Sequence, residues 1–246
     1  MSITIPAKTR PIHGHPQAGS LRFGYGFLHI LNQHTKMMDA VAMLFDKFGV
    51  DGIALDHLDL LIGHGERIGL LGHNGSGKTT MLRALAGLLL PESGDILWEG
   101  QPIRKLREEY SRHLLFLGHL NGIKGDLTAV ENLRIAATLD GYQLDETRAW
   151  EILADIGLRG FEDLPSKHLS QGQKRRVALA RLLANNAKLW ILDEPFTALD
   201  VAAVGLLQAV IKRHVDCGGM ALVTTHQAVG LIDQDTRSIE LGRSHV

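Results

Sequence analysis

The sequence predicts an α/β fold: a phosphate-loop core with a small β subdomain and a helical insert. Three observations carry this. The apolar segment Ile68-Gly-Leu-Leu71 runs into the glycine-rich turn Gly72-His-Asn-Gly-Ser-Gly-Lys78-Thr79 and then into a Leu- and Ala-rich stretch. A second apolar run, Leu189-Trp-Ile-Leu192, stops at Asp193-Glu194, and a third, Ala221-Leu-Val223, stops at Thr224-Thr-His226. Short apolar runs with polar turns at their ends, joined through helical segments, are the pattern of a parallel sheet covered on both faces.

Residues 1–37 show neither helical nor strand periodicity and are interrupted by Pro6, Pro11, Pro16, Gly14, Gly19, Gly24 and Gly26, so they read as a loosely ordered extension. Met37-Met38 stands directly before the first regular pattern and is read as the native start, with the principal domain over 38–246. Over 40–48 and 54–62 apolar residues recur with a spacing near two, the signature of half-buried strands. Residues 80–90 read as a helix stopped before Pro91, and Asp95-Ile-Leu-Trp98 as a short strand between the turns Ser93-Gly94 and Glu99-Gly100. Strand signals then fade, and about 104–185 reads as a helical insert. Thr128 with Glu131 and Ser170 with Gln173 have the spacing of capping boxes, in which side chains satisfy free N–H groups at a helix start.

Composition removes several classes. With 26 Lys and Arg against 27 Asp and Glu, the formal charge of −1 leaves no overall basic footprint for nucleic acid. No stretch approaches the roughly 18 apolar residues that span a bilayer, because charges from Asp56 to Arg67 break the most hydrophobic region. The apolar segment 23–31 lacks a small-residue cleavage site and is not read as a secretory signal. Cys217 is the only cysteine, which removes an intrachain disulfide and a thiolate cluster. His13-Gly-His15 lacks further ligands at metal spacing, and Lys174-Arg-Arg176 reads as a solvated helix face.

Chemistry concentrates at the polar ends of the apolar runs. Gly72, His73, Asn74, Gly75, Ser76 and Gly77 let the backbone curl so that successive N–H groups point at phosphate oxygens of ATP, while Lys78 reaches the terminal phosphates and Thr79 supplies a hydroxyl for Mg²⁺. Asp193, at the end of a buried strand, is the carboxylate for the same Mg²⁺. Glu194, one residue outside the strand, is placed to act as general base on the attacking water. His226 is positioned to touch and sense the terminal phosphate. Phe48, ahead of the loop, fits either stacking on adenine or the core.

Leu169-Ser-Gln-Gly-Gln173 joins a hydroxyl, free backbone N–H groups and a helix N-terminus, a second anion-binding surface in one chain. If each ATP needs both surfaces, a head-to-tail dimer satisfies the requirement: Ser170, Gln171, Gly172 and Gln173 of one copy meet the nucleotide held by Lys78 of the other.

The phosphate loop, Leu-Ser-Gln-Gly-Gln, Leu192-Asp-Glu-Pro195, Ala198-Leu-Asp200 and His226 together resemble the ATP-binding subunits of ABC transporters, over about residues 38–246. The resemblance implies a RecA-like core and ATP sandwiched at a dimer interface. It also implies communication between sites through Asp200, and coupling to integral membrane subunits through the helical insert. Residues 82–87, 117–119, 122–124, 127–129, 173–181 and 189–200 are similar to the subfamily that serves cytochrome c maturation. That likeness implies CcmB-like and CcmC-like membrane partners, no nucleic acid, haem-handling work and a peripheral position on the cytoplasmic face of the inner membrane. His119 stands where most such subunits have a glutamine, which leaves its coupling role open, and Gln171 replaces the commoner glycine. Two other readings stay open: an ABC subunit with a different cargo, and a soluble ABC ATPase of repair, translation or iron–sulfur assembly.

Overall fold

A computed structural model describes residues 2–3, 41–50, 53–91, 93–225 and 236–241, with 2–3, 42–50 and 53–59 as backbone alone. The first sheet has the order β1-β3-β2-β5-β6, formed by Ser2–Ile3, Ile53–Ile62, Val41–Val50, Ser93–Trp98 and Gln101–Pro102. The alternation at 40–48 and 54–62 thus becomes the antiparallel pair β2–β3, in register from Val41 opposite Ile62 to Val50 opposite Ile53. The Glu99-Gly100 turn, with φ of 50° and 79°, closes β5 on β6, because a tight hairpin turn needs left-handed backbone at both central residues. Ser2–Ile3 pairs in parallel with Ala54 and Leu55, a contact that the irregular composition around it does not announce.

The second sheet is parallel throughout, in the order β10-β4-β9-β8-β7: Thr236–Glu240, Arg67–Leu71, Met220–Thr224, Leu189–Leu192 and Leu114–Leu117. Its strands alternate between two cores. Leu189, Ile191, Met220 and Leu222 pack with Ile68, Leu70, the first sheet's Val41, Leu60 and Trp98, and α1 (Lys78–Leu85). Trp190, Leu192, Ala221 and Val223 face the other way, onto the longer helices. A strand with period-two side chains and both faces buried must be apolar at every position, which is why these runs are uninterrupted.

Helix α1 ends at Leu85, not at residue 90. Gly87, at φ 72°, donates to the Ala84 carbonyl, and the Leu88 amide donates to that of Arg83, the paired bonds of a Schellman stop. After the short helices α2 (Ile103–Leu106) and α3 (Glu108–Arg112) comes β7, a strand inside the region whose signals read as helical. Leu114–Leu117 pairs residue for residue with Leu189–Leu192 and extends the parallel sheet to its edge.

The remaining helices are α4 (Ala129–Leu139), α5 (Glu146–Asp155), α6 (Gln171–Ala184) and α7 (Val201–Asp216). Both expected capping boxes form. The Thr128 hydroxyl accepts from the Glu131 amide at 3.1 Å and the Glu131 carboxylate from the Thr128 amide at 2.8 Å; Ser170 and Gln173 do the same at 3.2 and 2.8 Å. Asn132 is buried on α4 and ties it to the preceding loop, bonding the Lys124 amide and carbonyl and the Ser166 hydroxyl. Among the described residues no helix is long and apolar enough to cross a membrane.

Candidate functional site

Four of the five strands of the parallel sheet deliver polar residues to one end of it. β4 enters the phosphate loop, β8 ends at Asp193, β9 at Thr224 and β7 at Gly118-His119. In a parallel sheet these are the carboxyl ends, where ligands of α/β folds bind.

Within the loop, Gly72, Gly75 and Gly77 take φ of 150°, 77° and 93°. Gly77 is the N-cap of α1, left-handed and without a side-chain cap, so the helix presents free N–H groups. At Gly72 a Cβ would stand 2.7 Å from the Leu241 carbonyl and 2.6 Å from Ser76 Oγ, so no larger residue fits. His73 and Asn74 are exposed, and His73 Nδ1 lies 2.8 Å from the Asn74 carbonyl. Ser76 is buried and its hydroxyl has no hydrogen-bond partner among the described residues. Lys78 is buried too; its Nζ donates to the Gly72 and His73 carbonyls at 2.6 and 2.9 Å, curled into the space its own loop encloses. Burial pulls the Lys78 ammonium below its ordinary pKa, opposed by the negative charges of Glu194 and Asp193.

Asp193 is buried and acts as the hub. Its Oδ2 accepts from Thr79 Oγ1 at 2.9 Å and its Oδ1 from Thr224 Oγ1 at 2.8 Å, while its amide donates to the Leu117 carbonyl. The Thr224 hydroxyl in turn accepts from the Glu194 amide at 2.8 Å. Glu194 has φ 49°, a left-handed conformation that costs a residue with a Cβ about 1 kcal/mol or more. Its surroundings therefore hold it there: Thr224 binds the amide, and Arg175 Nη2 binds the carbonyl at 2.8 Å.

Arg175 corrects the reading of Lys174-Arg-Arg176 as a solvated face. It is 4% exposed and reaches from α6 to the catalytic edge. The periodicity was there to be read, since Arg175, Leu179 and Leu182 share one face at spacings of four and three and all are buried. Arg176 also does more than face solvent: its Nη2 pairs with Asp200 Oδ2 at 2.5 Å. Asp200 caps α7, accepting from the Ala203 amide at 2.8 Å, and that bond, then the Arg176 charge, hold its carboxyl below the usual range. Thr224 and Asn121 are further site residues that no motif singled out.

The signature segment, Leu169-Ser-Gln-Gly-Gln173, is placed differently. Ser170 and Gln171 are exposed at the start of α6, Gln173 closes the capping box, and a Cβ on Gly172 would meet the Ala198 carbonyl at 3.1 Å. Among the described residues its hydrogen bonds stay within its own helix start; none reaches the phosphate loop. His119 is exposed, two residues past β7, beside the Gly118 carbonyl that Arg175 binds. Phe48 pairs with Leu55 through its backbone in β2, but its side chain lies outside the described residues, as do His226 and the pair His13 and His15. Thr225, the residue before His226, donates to the Leu70 carbonyl at the mouth of the phosphate loop. Among the described residues no group of three His, Cys, Asp or Glu could hold a metal, and Cys217 is free and exposed.

A parallel sheet with a phosphate loop on its second strand, a buried strand-end aspartate followed by glutamate, and a capped Leu-Ser-Gln-Gly-Gln helix define an ATP-binding cassette. The ABC transporter family profile matches residues 55–197. The chain is 54% identical over 171 residues to the "Cytochrome c biogenesis ATP-binding export protein CcmA" of Nitrosomonas europaea, covering 70% of this chain and 80% of that one. It is 47% identical to the protein of that name from Escherichia coli K12, covering 75% and 87%. The dimeric ATP-binding cassette MJ0796, solved with ADP and Pi, superposes with TM-score 0.70 at 26% identity, covering 82% of this chain and 95% of that one. A putative ABC transporter ATP-binding protein from Pyrococcus furiosus shares the fold at TM-score 0.71 and 24% identity, covering 82% and 97%. The chain belongs to the ABC transporter family, as an ATP-hydrolysing cassette.

Proposed function

We propose that this cassette is the ATPase of an export-type ABC complex in c-type cytochrome biogenesis, working as a head-to-tail dimer on the cytoplasmic face of the inner membrane. The observation that supports the subfamily is the 43–54% identity to proteins named for that process, over most of their length. The membrane subunits would be CcmB-like, with a CcmC-like protein in the same machinery, and the cargo step a haem-handling one.

In this reading residues 72–79 bind the ATP phosphates, with Phe48 on the adenine. Lys78 leaves the carbonyls of Gly72 and His73 for phosphate oxygens, and the lone Ser76 hydroxyl gains a partner. Thr79 and Asp193 fit Mg²⁺, because they bring a hydroxyl and a carboxylate, hard oxygen donors, within 2.9 Å of each other. Bound there, the ion would neutralise phosphate charge. Glu194 is the general base, oriented by Thr224 and Arg175. His119 and His226 flank the terminal phosphate. The partner copy's nucleotide rests on Ser170 to Gln173, and Asp200, clamped by Arg176, links the two sites.

Deleting the gene should abolish covalent haem staining of c-type cytochromes, and complementation with wild type but not with Glu194→Gln or Lys78→Ala should restore it. Normal staining in the deletion strain would exclude the cytochrome role while leaving the ATPase intact. Removing the general base should lower kcat about 10²-fold or more.

A further inference from the structure

The guanidinium of Arg175 is fully spoken for. Nε donates to the Pro195 carbonyl at 3.3 Å, Nη1 to the Gly118 carbonyl at 3.4 Å and Asn121 Oδ1 at 3.1 Å, and Nη2 to the carbonyls of Asp193 at 3.2 Å and Glu194 at 2.8 Å. An arginine has five N–H donors, and each here has its own acceptor. Three of those acceptors are successive carbonyls of the turn that holds Glu194 in left-handed backbone; the other two belong to the loop after β7 that carries His119. The side chain itself is anchored on α6, within the first turns after Ser170, so it rides on the helix whose exposed N-terminus is the signature.

Resting on the reading of a shared ATP site, we infer that Arg175 is a positioning residue that transmits engagement of the signature helix to the general base of its own subunit. A ligand pressing on Ser170 and Gly172 moves the start of α6. Because the guanidinium bonds three carbonyls of the Glu194 turn and two acceptors of the loop after β7, that movement is delivered to the Glu194 turn and the His119 loop together. Arg175 bonds neither the phosphate loop nor Thr79 and meets Asp193 only at its backbone carbonyl, so nucleotide binding by one copy should depend on it little. Lysine, with three donors around a point charge, cannot serve two loops in a fixed plane. Displacement of a reacting group by ~1 Å costs on the order of 10²-fold in rate.

The test compares wild type, Arg175→Lys, Arg175→Gln, Lys78→Ala and Glu194→Gln in ATPase assays across ATP concentration, with equilibrium binding of a fluorescent ATP analogue to the monomer. Wild type should hydrolyse ATP with positive cooperativity, and the Lys78 and Glu194 variants should not turn over; otherwise the shared-site reading itself fails. Both Arg175 variants should bind the analogue within about threefold of wild type, lose on the order of 10²-fold in kcat, and lose cooperativity. Wild-type kcat and cooperativity in Arg175→Lys would overturn the inference. So would loss of analogue binding in both variants, which would make Arg175 a general support of the fold.

Discussion

The two surfaces proposed to share each ATP, the phosphate loop and the Leu169–Gln173 signature, are built in opposite ways. The phosphate-loop half is closed upon itself: Lys78 bonds its own loop, Thr79 bonds Asp193, and Asp193 bonds Thr224, all at or below the surface. The signature half is open. Ser170 caps its own helix and Gln171 faces outward, and among the described residues the hydrogen bonds of Ser170 and Gln173 at the N-terminus of this 14-residue helix stay within the helix start. A buried cradle holds a nucleotide alone, whereas an exposed helix start acquires its ligand only when another molecule brings one. The difference supports a proposal in which one half binds and the other commits the nucleotide to hydrolysis.

Separating the halves should give the largest effects. Lys78→Met should abolish both ATP binding and hydrolysis, since it removes the ammonium that the loop encloses. Ser170→Arg should abolish hydrolysis, lowering kcat about 10²-fold or more, yet leave ATP binding to the monomer within about threefold, as expected of an interaction made only in the closed complex. Equal damage to monomer binding by Ser170→Arg would break the comparison. A titration of ATP binding in dilute protein, beside steady-state hydrolysis, reads both quantities.

A smaller effect concerns the helical segment around the signature. Thr128→Ala removes one half of the α4 capping box and should cost about 1 kcal/mol in denaturant unfolding while leaving monomer ATP binding unchanged. The smallest is a pH effect confined to the closed half. Burial lowers the Lys78 pKa in the folded protein below 10.5, so the unfolded chain holds more protons in the window between the two values. Wild-type stability should therefore rise relative to Lys78→Met as pH climbs through that window, with the difference constant below it. A pH series of thermal melts would show the gap, and a gap that moves the other way would contradict the burial of the ammonium.

How much of this was legible depended on how local the determinant was. The phosphate loop and both capping boxes are encoded within a few residues, so spacing alone located them. Leu114–Leu117 was different: a four-residue apolar run among helical neighbours carries no period that separates strand from buried helix, and its strand character comes from pairing with Leu189–Leu192, distant in sequence. The end of α1 was readable at Gly87, but Pro91 was the louder signal. Arg175 was hidden by its neighbours, because two more cations beside it made a buried guanidinium look like part of a solvated run. All but one of its partners are backbone carbonyls, which leave no trace in a pattern of side chains.

The central claim, that one ATP needs halves from two copies, is tested most directly by mixing two inactive variants. Lys78→Met and Ser170→Arg are each expected to be inactive alone, but a mixed dimer contains one site with both halves intact. Random pairing in an equal mixture should restore hydrolysis to at most about a quarter of the wild-type rate, since half the dimers are mixed, each has one working site of two, and cooperativity between the sites lowers it further. A mixture as inactive as its separate components would contradict the account.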